Sequence, residues 1–545
     1  MLAEDLQRII EGEAVADAGT LAEYSHDYSI FEVMPQTVVF PKNTEDIKKL
    51  VRFASEQKRT GKNISLTARS AGSDMSGGPL NDSVILSFTR HMNGIKEITN
   101  NNAVVEPGVY FRDLEKELDS RGLLYPPYPA SKDLCALGGM IANNSGGEKT
   151  LAYGKTENYV DSLRVVLSDG ELHSLSPISG AALETKLQEQ SFEGNIYRKL
   201  HKLLEENYAD IQNAKPKVSK NSCGYALWSV WDKQTFNLAK LFVGSQGTLG
   251  IITEATLRLV PQKKYSRLVV IFAKSLEPVP KLVESLLAYR PESIESYDDR
   301  TLGLALKFAP AMIRLMKGNA IKLGFQFLPE LGMLLRGGLP KMVLLVQFAS
   351  DDEQELDARV SEAIITSKKF PVQSRLVHNA EEAEKYWTIR RQSFALLHSR
   401  VKGKYAAPFV DDIIVQPKYM PEVLPQINAV LDRYKNKLLY TIAGHPGDGN
   451  FHIIPLMNLS DPETRVLIPK IAGEIYGIIF RYDGSMSAEH NDGLIRSPYL
   501  KEMYGEKIYG LFREVKNIFD PQNIFNPGKK VGASLDYSTA HIRTR

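Results

Sequence analysis

Residues Thr67–Leu80 read TARSAGSDMSGGPL, a glycine- and serine-rich loop that follows a predicted strand. Small residues allow consecutive backbone N–H groups to converge on an anion, and serine hydroxyls add further donors. Arg69 adds a cation suited to charge-assisted hydrogen bonds. The spacing is not G-x-G-x-x-G and no obvious long helix follows, so the usual dinucleotide fingerprint is absent. By itself the loop fits a pyrophosphate site and a plain flexible loop equally well.

Two further loops of this kind lie in the same half of the chain. Leu137–Lys149 reads LGGMIANNSGGEK, and Gly244–Glu254 reads GSQGTLGIITE. Glycine-rich turns between short strands predict a slot lined by backbone. A large planar cofactor with a diphosphate tail fits such a slot.

Two histidine-bearing cassettes indicate a metal site: GHPGDGNFH (Gly444–His452) and SAEHNDG (Ser487–Gly493). Neutral imidazole and carboxylate suit a borderline cation such as Zn²⁺. The candidate ligands are His445, His452 and Glu489. Three protein ligands leave a position for a substrate oxygen, as in catalytic zinc sites.

His490 is the candidate general base, because a histidine pKa near ~6.5 allows proton uptake around neutral pH. The alternative for this cluster is structural, with His452 as a satisfied core residue of a strand over 450–456. Glycine-rich flanks disfavour that alternative, since glycine is poor material for a core.

Composition limits the function classes. The chain has 545 residues, a net charge of +2 and two cysteines. This length predicts two or more domains, and the charge gives no reason to expect a nucleic-acid partner. Two cysteines fit neither a four-thiolate iron–sulfur cluster nor a disulfide framework, which indicates a reducing compartment. No secretory signal or long apolar run is present, so we expect a cytoplasmic protein.

Many short strands mixed with helices predict an α+β fold rather than a doubly wound parallel one. We expect an N-terminal helical segment over 1–35, a first domain over 36–261, a second over 262–470 and a C-terminal helical segment over 471–545. Thr44 is the predicted cap of a helix over 44–58. A hairpin is predicted where Ser168-Asp169-Gly170 joins two strands.

The stretch 301–341 is an apolar and basic insertion whose single acid is Glu330. Basic residues interrupt its apolar runs at roughly helical spacing. Such a segment fits the surface of an anionic membrane, which would make the protein peripheral on the inner face of the membrane. The alternative, which we favour, is a helical insertion packed on the second domain.

The loops and cassettes, taken in order, resemble flavoproteins of the vanillyl-alcohol oxidase superfamily, especially the D-lactate, glycolate and D-2-hydroxyglutarate dehydrogenases. The resemblance runs from about Gln36 to Lys529. The matching pieces are PQTVVFPKNTEDI, ARSAGSDMSGG, VEPGV, GGMIANNSGG, GSQGTLGIITEATL, GHPGDGNFH, AEHNDGL and FNPGK.

This resemblance implies a two-part PCMH-type FAD-binding domain over 36–261 and a substrate (cap) domain over 262–470, with C-terminal helices returning to the FAD domain. The first loop would hold the pyrophosphate, the second the isoalloxazine and ribityl chain, and the third the adenine end. FAD is expected to be non-covalent, since no histidine lies in the first loop. The implied FAD contacts are Arg69, Ser70, Ala71, Gly72, Ser73, Asp74, Ser76, Gly77, Gly78, Pro129, Gly138, Gly139, Ala142, Asn143, Ser145, Gly146, Gly147, Gly154, Gly250, Ile252 and Asn526.

The resemblance also assigns His445, His452 and Glu489 as metal ligands and His490 as the catalytic base. Arg390, in YWTIRRQSF, matches the arginine that binds the substrate carboxylate. The alternative for Arg390 is a solvated helix face, which is common for an Arg-Arg pair.

The sequence departs from the family pattern in three places. Ser70 and Ala71 stand where the pyrophosphate loop usually has more glycine. Gln246 replaces a glutamate in the third loop. Asn491 replaces the glycine after the Glu-His pair, which affects the turn that positions His490.

The implied activity is oxidation of a D-2-hydroxy acid to the 2-oxo acid. His490 takes the hydroxyl proton, a hydride passes to flavin N5, and a divalent metal, expected to be Zn²⁺, assists. A separate acceptor, such as a quinone, an electron-transfer flavoprotein or an iron–sulfur protein, then takes the electrons. The alternatives are a metal-dependent hydrolase, a flavin subunit of an electron-transfer assembly, and an oxidase that uses O₂.

Overall fold

The computed structural model describes residues 2–307, 339–377, 379, 382–391 and 404–544. The strands are β1 (Glu13–Val15), β2 (Thr37–Phe40), β3 (Leu66–Arg69), β4 (Val84–Ser87), β5 (Ile95–Ile98), β6 (Asn102–Val105), β7 (Leu123–Leu124), β8 (Val160–Val166), β9 (Leu172–Leu175), β10 (Ile178–Ser179), β11 (Thr235–Phe236), β12 (Ile251–Arg258), β13 (Val260–Pro261), β14 (Tyr265–Ala273), β15 (Ser293–Asp298), β16 (Met342–Ser350), β17 (Val372–Val377), β18 (Tyr405–Ala406), β19 (Val410–Ile414), β20 (Leu438–His445) and β21 (Asn450–Met457).

The helices follow the same chain order. They are α1 (Leu2–Gln7), α2 (Ala18–Tyr24), α3 (Thr44–Arg59), α4 (Phe111–Asp119), α5 (Leu137–Asn143), α6 (Thr150–Tyr153), α7 (Gly180–Gln188), α8 (Phe192–Glu206), α9 (Tyr208–Asn213), α10 (Ala239–Phe242), α11 (Val279–Leu287), α12 (Asp299–Lys307), α13 (Glu353–Ser367), α14 (Met420–Asp432), α15 (Pro462–Phe480), α16 (Gly493–Arg496), α17 (Leu500–Phe519) and α18 (Leu535–Ala540). Residues 382–391 are also helical where they are described.

The first sheet has four strands in the order β1-β2-β4-β3, and β2, β4 and β3 run parallel. Helix α3 covers it, because Ile47, Leu50, Val51 and Ala54 recur at helical spacing and are fully buried. The helix begins after Asn43, whose side chain accepts a hydrogen bond from the Asp46 N–H. The predicted Thr44 cap was therefore wrong by one position.

The second sheet has five antiparallel strands in the order β5-β6-β12-β8-β9. Its β8–β9 pair is the predicted hairpin, with Leu163 opposite Leu175 and Val166 opposite Leu172. The largest buried core of the described residues packs against this sheet and includes residues of α4, α5, α8 and α17. Helix α17 therefore ties the C-terminal part of the chain to the N-terminal half.

The third sheet contains eight strands, in the order β17-β14-β16-β15-β20-β21-β18, with β19 also paired to β21. Apolar side chains of α11 and α13 form one core on it, and those of α14 and α15 form another. The hairpin β20–β21 ends in the turn of the first histidine cassette. This sheet therefore determines where that cassette lies.

The α+β prediction is confirmed, and three observations concern the predicted segments. Residues 1–35 are not wholly helical, since β1 pairs with β2 in the first sheet. The predicted domain boundary after residue 470 falls inside the continuous helix α15. Most of the insertion 301–341, namely 308–338, lies outside the described residues. The domain boundaries therefore stay predictions.

None of the helices in the described part of the chain is both long enough and apolar enough to cross a membrane.

Candidate active site

A cavity of about 640 Å³ lies between the glycine-rich loops and the histidine cassettes. Residues 68–75, the start of α5 and the start of β12 line one side. His445, His452, Glu489 and His490 line the other, together with Arg390. The glycine-rich loops and the histidine cassettes, which are far apart in the sequence, therefore line the same cavity.

The first loop leaves β3 and bends around Asp74. The Asp74 Oδ2 atom accepts hydrogen bonds from Ser76 N at 2.9 Å, Ser76 Oγ at 2.7 Å and Gly78 N at 2.8 Å. Among the described residues, no backbone N–H from 70 to 75 donates a hydrogen bond to another protein group. Consecutive open N–H groups at a cavity wall are an anion-binding arrangement.

Helix α5 packs against this loop through glycine. A Cβ added at Gly138 would lie 2.6 Å from Pro107 Cβ and 2.6 Å from Ser70 Oγ, so only glycine allows this approach. The Gly138 N–H donates to Pro107 O at 2.9 Å, while within the described part of the protein the Gly139 N–H has no acceptor. The wall is thus closely packed and rich in backbone donors, which fits a diphosphate and a flat ring system.

Arg69 does not reach over the loop as a free cation. Its guanidinium donates to Tyr24 O at 3.3 Å and to His26 O at 2.9 Å. Burial lowers the pKa of Arg69. The side chain still lines the cavity, so it contributes positive charge to that wall.

Most of the predicted FAD contacts line the cavity, and a smaller set does not. Those that line it are Arg69, Ser70, Ala71, Gly72, Ser73, Asp74, Gly78, Pro129, Gly138, Gly139, Ala142, Asn143, Ser145, Gly146, Gly250 and Ile252. Those outside the lining are Ser76, Gly77, Gly147, Gly154 and Asn526.

Residues of the second set support the loops from behind. Asn526 Nδ2 donates to Gly78 O at 2.9 Å and to Gln246 O at 2.7 Å. The Gly77 N–H donates to Asp27 Oδ2 at 3.1 Å, and the Gly147 N–H donates to Thr150 Oγ1 at 2.7 Å. A direct contact of these residues with FAD stays a prediction.

The register of the β20–β21 hairpin brings the two predicted histidine ligands together. Ala443 is opposite His452, and His445 is two residues beyond Ala443 on the same strand. Residues two apart on a strand share a face, so the two imidazoles are diagonal neighbours. Their Nε2 atoms lie 3.1 Å apart.

Glu489 completes the cluster, with Oε1 3.5 Å from His445 Nε2. The three ligand atoms all lie within 4.8 Å of one another. Zinc–ligand bonds of about 2.0–2.2 Å in a tetrahedron separate ligand atoms by about 3.3 Å. The donor set and its spacing therefore fit one divalent cation without rearrangement of the backbone.

The second nitrogen of each histidine ligand is held by the protein. His452 Nδ1 lies 2.8 Å from Asp411 O, and His445 Nδ1 is hydrogen-bonded to Glu295 Oε1. An N–H donated away from the site leaves Nε2 as the free lone pair, which is the usual arrangement around a metal.

Burial and neighbouring charges shift the pKa values of His452 and Glu489. Burial and the nearby His445 and His490 lower the pKa of His452 well below its usual value, which favours the neutral imidazole that a metal needs. Burial alone would raise the pKa of Glu489, but the buried ammonium of Lys220 and the ring of His445 hold it well below its usual range. Lys220 contacts Glu489 directly and lies 3.4 Å from Asp448.

His490 lies beside the cluster, with its ring stacked on His452 at 5.1 Å and 10°. Its Nδ1 lies 2.7 Å from Asp411 Oδ2. Burial opposes the charged imidazolium, but Asp412 and Asp411 outweigh it and raise the pKa of His490 to about 9. A cation bound at the neighbouring ligands would lower that pKa, because like charges disfavour protonation.

The predicted substrate arginine is buried and not solvated. Arg390 is 8% exposed, so the solvated-face alternative was wrong. Its Nε donates to Glu295 Oε2 at 3.1 Å, and the side chain lines the cavity. The neighbouring Arg391 forms two hydrogen bonds with Glu148, at 3.1 and 2.7 Å.

Two comparisons with known families cover most of the chain. A family model described as "FAD binding domain" matches residues 35–176, and one described as "FAD linked oxidases, C-terminal domain" matches residues 262–530. The chain belongs to the FAD-linked oxidases. The predicted FAD-binding domain is confirmed.

The chain is also similar to individual curated proteins over nearly its whole length. It is 32% identical over 527 residues to a D-2-hydroxyglutarate dehydrogenase of Pseudomonas putida, with 95% of this chain and 50% of that protein covered. It is 27% identical to a D-lactate dehydrogenase of Archaeoglobus fulgidus, with 97% and 98% covered. The chain thus spans about half the length of the first relative.

A solved structure shares the fold. The 4-ethylphenol oxidase of Gulosibacter chungangensis, in complex with isoeugenol, superposes with a TM-score of 0.69 at 17% identity, over 97% of this chain and 96% of that one. The PCMH-type architecture that the resemblance implied is therefore confirmed.

Two of the three departures from the family pattern, Asn491 and Gln246, have a structural role. Asn491 has a φ of 68°, a left-handed conformation that asparagine tolerates better than most residues. Its side chain donates to Gly244 O at 2.9 Å and Asn143 O at 3.2 Å. A glycine at this position would allow the turn. It would lose these hydrogen bonds between the second cassette and the second and third glycine-rich loops.

Gln246 also joins the FAD loops to that cassette. Its Oε1 accepts from Gly493 N at 2.8 Å, while its Nε2 donates to Ser76 Oγ and Asn143 Oδ1, both at 3.2 Å. A glutamate has no N–H to donate, so this FAD-linked oxidase uses the amide in both directions.

Sequence reasoning missed the residues that support the site. Asp411 and Asp412 lie in β19, and Asp412 Oδ2 accepts from the N–H groups of Glu489 and His490, both at 2.7 Å. Arg496, fully buried, pairs with Asp411. The sequence does indicate these residues, because Asp411 and Asp412 interrupt the apolar run FVDDIIV and buried carboxylates need partners.

Proposed function

We propose that the chain oxidises a D-2-hydroxy acid, of the D-lactate, glycolate or D-2-hydroxyglutarate type, to the 2-oxo acid. The observation that carries the proposal is the single cavity that holds the open N–H groups of the first loop on one side and His445, His452, Glu489 and His490 on the other. The names of the relatives support the same substrate class.

The site residues divide the work among them. Arg390 binds the substrate carboxylate through charge-assisted hydrogen bonds. His445, His452 and Glu489 hold a divalent cation, which we propose to be Zn²⁺. When bound, FAD would accept the hydride and the cation would polarise the substrate oxygens. His490 takes the hydroxyl proton at Nε2, and Asp411 holds its Nδ1.

The test is anaerobic titration of the purified protein with D- and L-2-hydroxy acids while the flavin absorbance is followed. We expect bleaching with a D-2-hydroxy acid and not with its L enantiomer. A protein without flavin absorbance would support the hydrolase alternative. Flavin that no 2-hydroxy acid reduces would support the electron-transfer subunit.

We further propose that the electrons leave to a separate acceptor, such as a quinone, an electron-transfer flavoprotein or an iron–sulfur protein. The support is the resemblance alone. Reoxidation of the reduced flavin by each acceptor class, compared with O₂, tests it. Stoichiometric peroxide at a rate above that of every other acceptor would instead show an oxidase.

The cellular location of the protein and its division into domains are also proposals. We propose a cytoplasmic protein whose segments 36–261 and 262–470 bind FAD and substrate, with contact between 301–341 and a membrane as a subsidiary proposal. Co-sedimentation with anionic vesicles, for the whole protein and for a variant with neutral replacements of Lys and Arg in 301–341, tests the membrane contact. Equal binding by both would refute it.

A further inference from the structure

We propose that Glu295 is a positioning residue that aligns a metal ligand and the substrate-binding arginine at once. The inference rests on the function proposed above. Each oxygen of this one carboxylate has a different partner. Oε1 is hydrogen-bonded to His445 Nδ1, and Oε2 lies 3.1 Å from both Nε and Nη2 of Arg390.

The fold fixes this carboxylate in place. Glu295 lies in the middle of β15, which is paired on both sides, with β16 and with β20. Across the β15–β20 pair Ser296 is opposite Gly444, which brings Glu295 beside His445. The Glu295 side chain is 2% exposed. A carboxylate on an interior strand of an eight-stranded sheet has little freedom to move. Glu295 therefore determines the positions of its partners, His445 and Arg390.

On the metal side, the hydrogen bond determines which imidazole nitrogen is available. When Nδ1–H donates to a carboxylate, Nε2 carries the lone pair, and the ring cannot turn without losing the bond. The Nε2 of His445 is the atom that lies 3.1 Å from His452 Nε2. Glu295 therefore selects the tautomer and the orientation that the metal site requires.

On the substrate side, the same carboxylate orients a planar cation. A contact to both Nε and Nη2 fixes the plane of the Arg390 guanidinium, because those donors form a rigid fork. Arg390 lies in the helical stretch 382–391, whereas His445 lies in the third sheet. Glu295 is thus the residue that sets the spacing between the arginine and the metal ligands.

A purely structural ion pair would have a different signature. Loss of a buried partner lowers stability because it leaves a charge without compensation, but it does not change the affinity of a metal site elsewhere. A positioning role instead predicts weaker metal binding and weaker substrate binding in the same variant. Metal affinity is therefore the readout that separates the two.

The test compares Glu295→Gln with Glu292→Gln as a matched control. Glu292 is 6% exposed and lies 2.8 Å from Lys149, so it is also a buried, paired glutamate near β15. Zn²⁺ affinity is measured by competition with a chromophoric chelator, and substrate affinity by anaerobic flavin bleaching. In Glu295→Gln we expect Zn²⁺ affinity to fall about 10–100-fold, and the substrate concentration that gives half-maximal bleaching to rise. In Glu292→Gln we expect neither change.

Arg390→Met separates the two sides of the carboxylate. It should weaken substrate binding and leave Zn²⁺ affinity undiminished, because the bond from Glu295 to His445 remains. If Glu295→Gln fails to fold, Glu295→Asp keeps the charge and withdraws it by one methylene, and we expect it to fold and bind Zn²⁺ more weakly. Zn²⁺ affinity equal to that of the wild type in the folded variant would overturn the proposal.

The outcomes also distinguish this inference from the proposed function. A wild-type protein that binds Zn²⁺ but whose flavin no 2-hydroxy acid bleaches would refute the proposed function and, with it, the substrate half of the inference. The Zn²⁺ titration of Glu295→Gln would still decide the metal half.

Discussion

The Nδ1 atom of His490 lies 2.7 Å from Oδ2 of Asp411, and the other oxygen of that carboxylate pairs with the fully buried Arg496. The carboxylate is therefore fixed on both sides. A fixed acceptor at Nδ1 makes Nε2 the nitrogen that exchanges protons with a ligand in the cavity.

Asp411→Asn should lower the rate of flavin reduction by about 10²–10⁴-fold, since the amide can donate to Nδ1 and so stabilise the wrong tautomer. Single-turnover reduction with a saturating D-2-hydroxy acid measures it. Asp448→Asn is the control, because Asp448 is also buried and contacts Ser219 and Lys220 but not His490. Equal rates in the two variants would contradict the assignment of Asp411.

His490→Ala should reduce turnover by about 10²–10⁴-fold, the usual contribution of a general base. Because His490 is not one of the three proposed ligands, the metal content of the variant should equal that of the wild type. Both quantities are measured on one preparation. A variant that turns over normally removes His490 from the mechanism, and one that loses metal makes it a ligand.

The double substitution His445→Asn with His452→Asn should release the metal while the flavin stays bound. The two Nε2 atoms, 3.1 Å apart, supply two of the three proposed ligands, and neither residue belongs to the loops that form the FAD side of the cavity. Elemental analysis after dialysis and the flavin-to-protein absorbance ratio test it. Metal retained at the wild-type stoichiometry refutes these ligands.

Gly138→Ala should lower the FAD content of the purified protein. The new Cβ would lie 2.6 Å from Pro107 Cβ and Ser70 Oγ, so either α5 or the first loop must move. Gly477→Ala in α15, where a Cβ meets nothing within 4 Å, is the control and should keep its FAD. Wild-type FAD content in Gly138→Ala would show that the close approach is not needed for binding.

Because of Asp27, we expect the free energy of unfolding to fall as the pH rises from about 4 to about 7. Burial, and then the charge of Asp74, raise the pKa of Asp27 from 3.8 to about 7. In that window the folded protein keeps a proton that the unfolded chain has released, so stability declines by up to ~1.4 kcal/mol per pH unit.

The test of this linkage is the unfolding midpoint in urea from pH 4 to pH 8, for the wild type and for Asp27→Asn. The amide cannot ionise, so the variant should lose less stability than the wild type between pH 5 and pH 7. Parallel pH profiles for the two proteins would show that Asp27 is ionised in the folded state.

The sequence predicted those parts of the site that are local in the chain. His445 and His452 share a cassette, and a hairpin register is enough to bring them together. Glu489 and His490 could be added because their cassette also places potential ligands among small and polar residues. The first loop was predicted from small residues that follow a strand, and its open N–H groups agree with that reading.

The remaining parts depend on strand order, which one sequence does not reveal. Glu295 reaches His445 only because β15 pairs with β20, a pairing between strands far apart in the chain. Asp411 reaches His490 because β19 is hydrogen-bonded to the distant second cassette, through Ala488 N to Asp412 O and His490 N to Asp412 Oδ2. The Thr44 cap failed for a smaller reason: two neighbouring residues, Asn43 and Thr44, both suit a helix start, and only backbone angles decide between them.

The Asn491 amide, which contacts the carbonyls of Asn143 and Gly244, has a consequence for assembly of the holoenzyme. Asn491 follows Glu489 by two positions and His490 by one, so we expect FAD bound at the glycine-rich loops to hold in place the segment that carries a metal ligand. Apoprotein stripped of FAD should accordingly exchange its metal faster than the FAD-bound protein.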